Sequence, residues 1–135
     1  MKITIKHIVI LCMLTIFTTA IHTGPAEDNQ LLEAAYGNIT GVQAALEKGA
    51  NINATDKDGW TALIRAMNYN YRGVEAVKLP TVNLLLSKGA DVNAKANDGR
   101  TALIFAAAHK DVELVKLLLS KGADANAKAN NGQTV

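Results

Sequence analysis

The 135-residue sequence predicts an all-α solenoid: stacked helix–turn–helix units joined by short β-hairpin fingers, about three repeats and the start of a fourth. Two recurring blocks and one apolar stripe predict it. Lys88-Gly89-Ala90-Asp91-Val92-Asn93-Ala94 returns as Lys121-Gly122-Ala123-Asp124-Ala125-Asn126-Ala127, and earlier as Lys48-Gly49-Ala50-Asn51-Ile52-Asn53-Ala54, with 33 residues from Gly89 to Gly122. Asp58-Gly59-Trp60-Thr61-Ala62-Leu63-Ile64 returns as Asp98-Gly99-Arg100-Thr101-Ala102-Leu103-Ile104 and restarts as Asn131-Gly132-Gln133-Thr134, again 33 residues from Gly99 to Gly132. Between these blocks, Val112, Val115, Leu118 and Leu119 fall at i, i+3, i+6 and i+7, a helical stripe that Leu114 and Leu117 widen.

Residues 1–26 hold no acid: Lys2 and Lys6 precede an apolar run from Ile8 to Phe17, the pattern of a signal peptide. Cleavage fits after Ala20 or after Ala26, the second being preferred. As a helix the apolar stretch would span only about 21 Å, short of a hydrocarbon core of about 30 Å, which disfavours a retained anchor. Removal of the leader takes Cys12, the only cysteine, and with it disulfides, thiol catalysis and thiolate metal sites. The mature protein is then expected outside the cytoplasm, secreted or periplasmic. Asn38-Ile39-Thr40 and Asn53-Ala54-Thr55 match the glycosylation sequon, which has meaning only in a eukaryotic host.

The first unit, 27–54, has no hairpin before it; Asp28 and Asn29 are expected to cap its first helix, as in an N-terminal capping repeat. The second, 55–94, carries a seven-residue insertion, since Gly59 to Gly99 is 40 residues. Seven residues are close to two helical turns and could lengthen the helices. The Asn and Gly content of Asn68-Tyr69-Asn70-Tyr71-Arg72-Gly73 favours a protruding loop instead, with Pro80 in the first turn of the next helix. The third unit, 95–127, reads as a tight turn at Asn97-Asp98-Gly99, a short helix over 101–108, and a second helix closed by Lys121 and a left-handed Gly122. Residues 128–135 begin a further, incomplete unit.

Turn, cap and period agree across the copies, and on these residues the chain resembles the ankyrin repeat proteins over about residues 27–135. The family's Thr-Pro-Leu-His segment is Thr61-Ala62-Leu63-Ile64 and Thr101-Ala102-Leu103-Ile104 here, so Ile packs where the family builds a polar network. The resemblance implies protein recognition through hairpin tips, the exposed side of the first helices and the turns after them. By repeat position that surface holds Lys57, Asp58, Trp60, Arg65, Asn68 and Tyr69, with Tyr71 in the insertion, then Asn97, Asp98, Arg100, Phe105 and His109. Aromatic and Arg side chains are frequent interface anchors. Phe105 could instead pack between repeats, and Trp60 could lean on Arg100. Tyr69 and Tyr71 have no evident core to join.

Chemistry is thinly supplied. Beyond the leader there is one histidine, His109, and two serines, Ser87 and Ser120, at equivalent repeat positions, which is no basis for a triad. Asp56-Lys57-Asp58-Gly59 fails as a calcium loop, because the first and twelfth positions would be Ala54 and Arg65. Asp91/Asn93 and Asp124/Asn126 are expected to bond their own loop backbones. Without Lys2 and Lys6, twelve basic residues face twelve acids, so the pI of 8.7 belongs largely to the leader and a nucleic-acid footprint is disfavoured. The expectation is therefore an exported, non-catalytic module that needs no cofactor or metal and binds a protein, with no membrane contact after cleavage. Assembly through an open C-terminal end, including self-association, is the alternative.

Overall fold

The computed structural model describes residues 24–67 and 75–135. Six helices occur among these residues: α1 (Pro25–Ala34), α2 (Ile39–Glu47), α3 (Ala62–Ala66), α4 (Glu75–Ser87), α5 (Ala102–Ala108) and α6 (Val112–Ser120). They pair as α1/α2, α3/α4 and α5/α6. The first helices stack in one layer, α1 on α3 on α5, and α2 packs on α4 in the other. Each pair alone buries too little apolar surface to be stable, so the core runs continuously through the stack. Leu31, Val42, Leu63, Met67, Val82, Leu85, Leu103 and Leu118 lie in it with almost no exposure.

Local chemistry sets the boundaries. Side-chain oxygens of Asn38, Thr61, Thr101 and Asp111 accept from the backbone N–H three residues on, which fixes the starts of α2, α3, α5 and α6. Helix α1 differs from expectation: it begins at Pro25 behind Gly24, with no side-chain cap, so Asp28 and Asn29 are inside the helix. Proline at the first helical position presets φ and has no N–H to leave unpaired. At the other ends, Gly89 and Gly122 have φ of +87° and +88°, while Ala90 N–H and Ala123 N–H reach back to Leu85 O and Leu118 O, closing Schellman motifs.

One expectation is corrected in the second repeat. Pro80 is not in a first turn, because α4 starts five residues earlier at Glu75 and Pro80 lies inside it. Part of the insertion is thus helical; residues 68–74, with Asn68, Tyr69 and Tyr71, lie outside the described residues. Proline leaves the Ala76 carbonyl without its helical donor, at a residue that is exposed. Within the apolar stripe of α6, Leu114 and Leu118 are buried, while Val112 is 61% and Leu119 41% exposed. In α2 and α4 the same stripe, Val42 and Val82 above all, is covered by the next repeat.

The fingers contain no extended strand among the described residues. Each is closed by two backbone hydrogen bonds: Asp56 N–H to Trp60 O with Gly59 N–H to Asp56 O, and likewise Ala96 with Arg100 and Gly99, and Ala129 with Gln133 and Gly132. Isolated antiparallel bridges join Thr55 to Thr61 and Lys128 to Thr134.

Candidate functional site

Three fingers stand side by side, held by a ladder that the repeat itself generates. The Asn97 amide donates to Lys57 O at 3.0 Å, and its backbone N–H to Asp58 O at 3.0 Å. One repeat later Asn130 does the same, its side chain to Asn97 O at 3.1 Å and its N–H to Asp98 O at 2.9 Å. The Asp-Gly turns make this approach possible: a Cβ on Gly59 would lie 2.5 Å from Asn97 Oδ1, and one on Gly99 2.6 Å from Asn130 Oδ1.

A second ladder runs through the loops between repeats. Asp28 Oδ1 accepts from Asn51 N–H at 2.7 Å, Asn53 Oδ1 from Asp91 N–H at 2.8 Å, and Asn93 Oδ1 from Asp124 N–H at 2.8 Å. The aspartates do shape their own loops, Asp91 accepting from Asn93 N–H and Asp124 from Asn126 N–H. Sequence reasoning misses the inter-repeat work of the asparagines, although their recurrence within the repeated block is a visible signal of it. Both sequon asparagines also have structural work, Asn38 as a helix cap and Asn53 in this ladder.

Arg65 sits at the first junction. Its Nη2 and Nε donate to Asp56 Oδ2 at 2.7 and 3.0 Å, and its Nη1 reaches Glu33 Oε1 at 3.3 Å and Leu32 O at 3.4 Å. The guanidinium carbon lies 5.3 Å from the centroid of Tyr36, and only 14% of the side chain is exposed. Asp56 Oδ1 also accepts from Asp58 N–H and Trp60 N–H. Burial pushes its carboxyl up, but the hydrogen bonds from Trp60, Arg65 and Asp58 outweigh this and hold it below the ordinary aspartate value. Burial likewise lowers the Arg65 value, and Asp56 more than restores it. Arg65 is a clamp between repeats, with little surface left for a partner.

At the second junction the ring of Phe105, 6% exposed, is met edge-on by Trp60, with centroids 5.4 Å apart, and covered by the Arg100 guanidinium at 4.3 Å. Trp60 therefore packs on Phe105, the ring that Arg100 also covers. Arg100 Nε donates to Asp98 Oδ2 at 2.7 Å, and Asp98 Oδ1 accepts from Arg100 N–H at 3.0 Å. Burial raises the Asp98 carboxyl, and these bonds to Arg100 bring it below its ordinary value. Asp98, Arg100, Asn130 and Asn131 line an open hollow of about 430 Å³. His109 closes α5, its Nδ1–H donating to Phe105 O at 2.9 Å.

The sequence-derived surface thus divides. Lys57, Asp58, Asn97, Asp98 and His109 are exposed; Trp60 and Arg100 are half-buried beside them; Arg65 and Phe105 are turned inward. Among the described residues no cluster of three metal-ligating side chains occurs, and no helix is long and apolar enough to cross a membrane. A comparison with curated proteins returned no match. Family comparison matches residues 31–129 to ankyrin repeats (3 copies). With the stacked pairs and fingers, that match over well more than half of the sequence establishes that the chain belongs to the ankyrin repeat family, whose repeats are generally protein–protein interaction modules and typically non-catalytic.

Proposed function

We propose that the chain is an exported, non-catalytic module that recognises a protein through its finger tips, the concave side beneath them and the inserted segment carrying Tyr69 and Tyr71. The observation that carries this reading is the ladder. It fixes the finger backbones relative to one another while Lys57, Asp58 and Asp98 remain exposed at their tips. Preorganised side chains lose little freedom on binding, which favours recognition of an extended protein surface. Trp60 and Arg100, half-buried against Phe105, supply an apolar and cationic floor.

Export rests on the basic and apolar character of residues 1–26. The fold bears on where a leader would end. Cleavage after Ala26 would remove Gly24 and Pro25 and cut into α1, whereas cleavage after Ala20 leaves that helix whole. Ala20 is therefore the preferred site on structural grounds, and intact mass of the exported protein decides between a first residue of Ile21 and of Glu27.

A second reading, association through the C-terminal end, self-association included, has its own observation. The exposed large apolar side chains among the described residues, Val112, Leu119 and Val135, all belong to the last part of the chain. Capture from the native host separates the two. Lys57→Glu/Asp58→Lys should abolish capture of a finger-bound partner and Val112→Lys should leave it intact; the reverse pattern would reject the finger surface.

A further inference from the structure

Four helices end on a glycine in the left-handed region: Gly37 after α1, Gly49 after α2, Gly89 after α4 and Gly122 after α6, with φ of +115°, +93°, +87° and +88°. Helix α5 does not. Lys110 follows its C-cap, His109, at φ +57°, the one non-glycine residue with positive φ among the described residues. The backbone requires this conformation: Lys110 N–H reaches Ala107 O and Asp111 N–H reaches Ala106 O, both at 3.0 Å, the same pair of bonds that closes α4 and α6 over Gly89 and Gly122. In the first repeat Gly37 stands where Lys110 does, each directly before the residue that caps the next helix, Asn38 or Asp111.

A residue with a Cβ is strained in the left-handed region, and lysine has no short polar group to offset that with a local bond. Nor does its ammonium find a partner within the protein. Lys110 is exposed, and among the described residues its side chain makes no ion pair or hydrogen bond. What the strained backbone does provide is direction. The left-handed well is narrow, so the turn fixes the Cα–Cβ bond of Lys110, and the neighbouring His109 ring is held by its bond to Phe105 O at 2.9 Å. Both side chains stand at the end of α5 away from its finger, about 10 Å along the helix.

We propose that Lys110 is a recognition residue, pairing with an aspartate or glutamate of a protein partner that lies along α5. The proposal rests on the finger and concave-side reading above and adds to it a position and a charge. An ammonium offers three donors and no acceptor, so a carboxylate is the protein group that suits it. Glycine at this position would relieve the strain and remove the contact, so one substitution should move stability and affinity in opposite directions. A purely structural role, as a cation near the carbonyl end of α5, predicts a loss of stability instead.

The test treats the full chain in an extract of its native host with a water-soluble carbodiimide, which condenses a lysine amine with an adjoining carboxylate, water being lost, and sequences the joined peptides. An amide from Lys110 Nζ to an aspartate or glutamate of one recurring protein is expected. With that protein, calorimetry should give about fivefold weaker binding for Lys110→Gly and less than about twofold for Lys110→Arg, which keeps the charge. The melting temperature of Lys110→Gly should rise by about 3 °C, and that of Lys110→Arg should not. No adduct at Lys110, unchanged affinity in Lys110→Gly, or a fall in its melting temperature overturns the proposal. Binding that Lys57→Glu/Asp58→Lys abolishes and Lys110→Gly leaves intact would reject Lys110 while keeping the finger surface. Binding indifferent to both would reject the two together.

Discussion

The two inter-repeat junctions place different chemistry at the same position. Arg65 and Phe105 are equivalent residues on the first helices of successive repeats, 40 apart because of the insertion, and their neighbours change with them. Asp56, which holds Arg65 at 2.7 Å, corresponds to Ala96, which is buried beneath its finger; Trp60 corresponds to Arg100. One junction is therefore joined by Arg65, which Asp56 of its own repeat holds and which reaches Leu32 O, Glu33 and the Tyr36 ring of the first repeat, the other by an aromatic ring between Trp60 and Arg100. The repeat prescribes that something must bridge the units here, and leaves open what does so.

Phe105→Ala should have the largest effect, because it empties a buried ring site and strips both Trp60 and Arg100 of their contact. A loss of about 4 kcal/mol by urea unfolding is expected, with little dependence on pH. Asp56→Ala should cost less, about 3 kcal/mol, since it leaves a largely buried guanidinium with the exposed Glu33, a carbonyl and the Tyr36 ring. Its signature is the pH profile. The Asp56 carboxyl is depressed in the folded state, so its contribution is complete above the unfolded value of about 3.8 and disappears as pH falls through the lower folded value. Wild type should lose stability over that acid range more steeply than Asp56→Ala; parallel profiles would show that the two junctions do not differ as described.

The glycines sharpen the contrast further. Gly99→Ala should cost about 2 to 3 kcal/mol, combining a φ of +80° with a Cβ that would lie 2.9 Å from Asn130 N, which spreads the finger ladder. Gly89→Ala, at φ +87° with no atom within 4 Å of the added Cβ, should cost only about 1 kcal/mol from backbone strain. Equal losses would mean that the ladder contributes nothing. Smallest of all, Asp98→Asn should change stability by less than about 1 kcal/mol, its ion pair with Arg100 being largely open to solvent.

Periodicity made the fold legible. The 33-residue spacing, the Asp-Gly turns and the Lys-Gly ends each correspond to an observed finger or Schellman motif, because those positions need a backbone only glycine adopts cheaply. The stripe from Val112 to Leu119 was legible too, but its burial depends on a neighbour, and spacing within one helix carries no information about that neighbour. Likewise Pro80 marks a helix start only if nothing helical precedes it, and in α4 the chain from Glu75 does. At the candidate site, residue type suggested Arg65 and Phe105 as anchors. Their inward turn results from Asp56, at the base of Arg65's own finger, and from Trp60, which meets Phe105 only when successive repeats stack.

The most direct test of the finger surface is photo-crosslinking in the native host from a reactive side chain at Asp58, compared with one at Lys116 on the exposed side of α6. Protein adducts from Asp58 and none from Lys116 are the predicted result. Adducts from Lys116 with none from Asp58 would contradict it and move recognition to the other side of the stack.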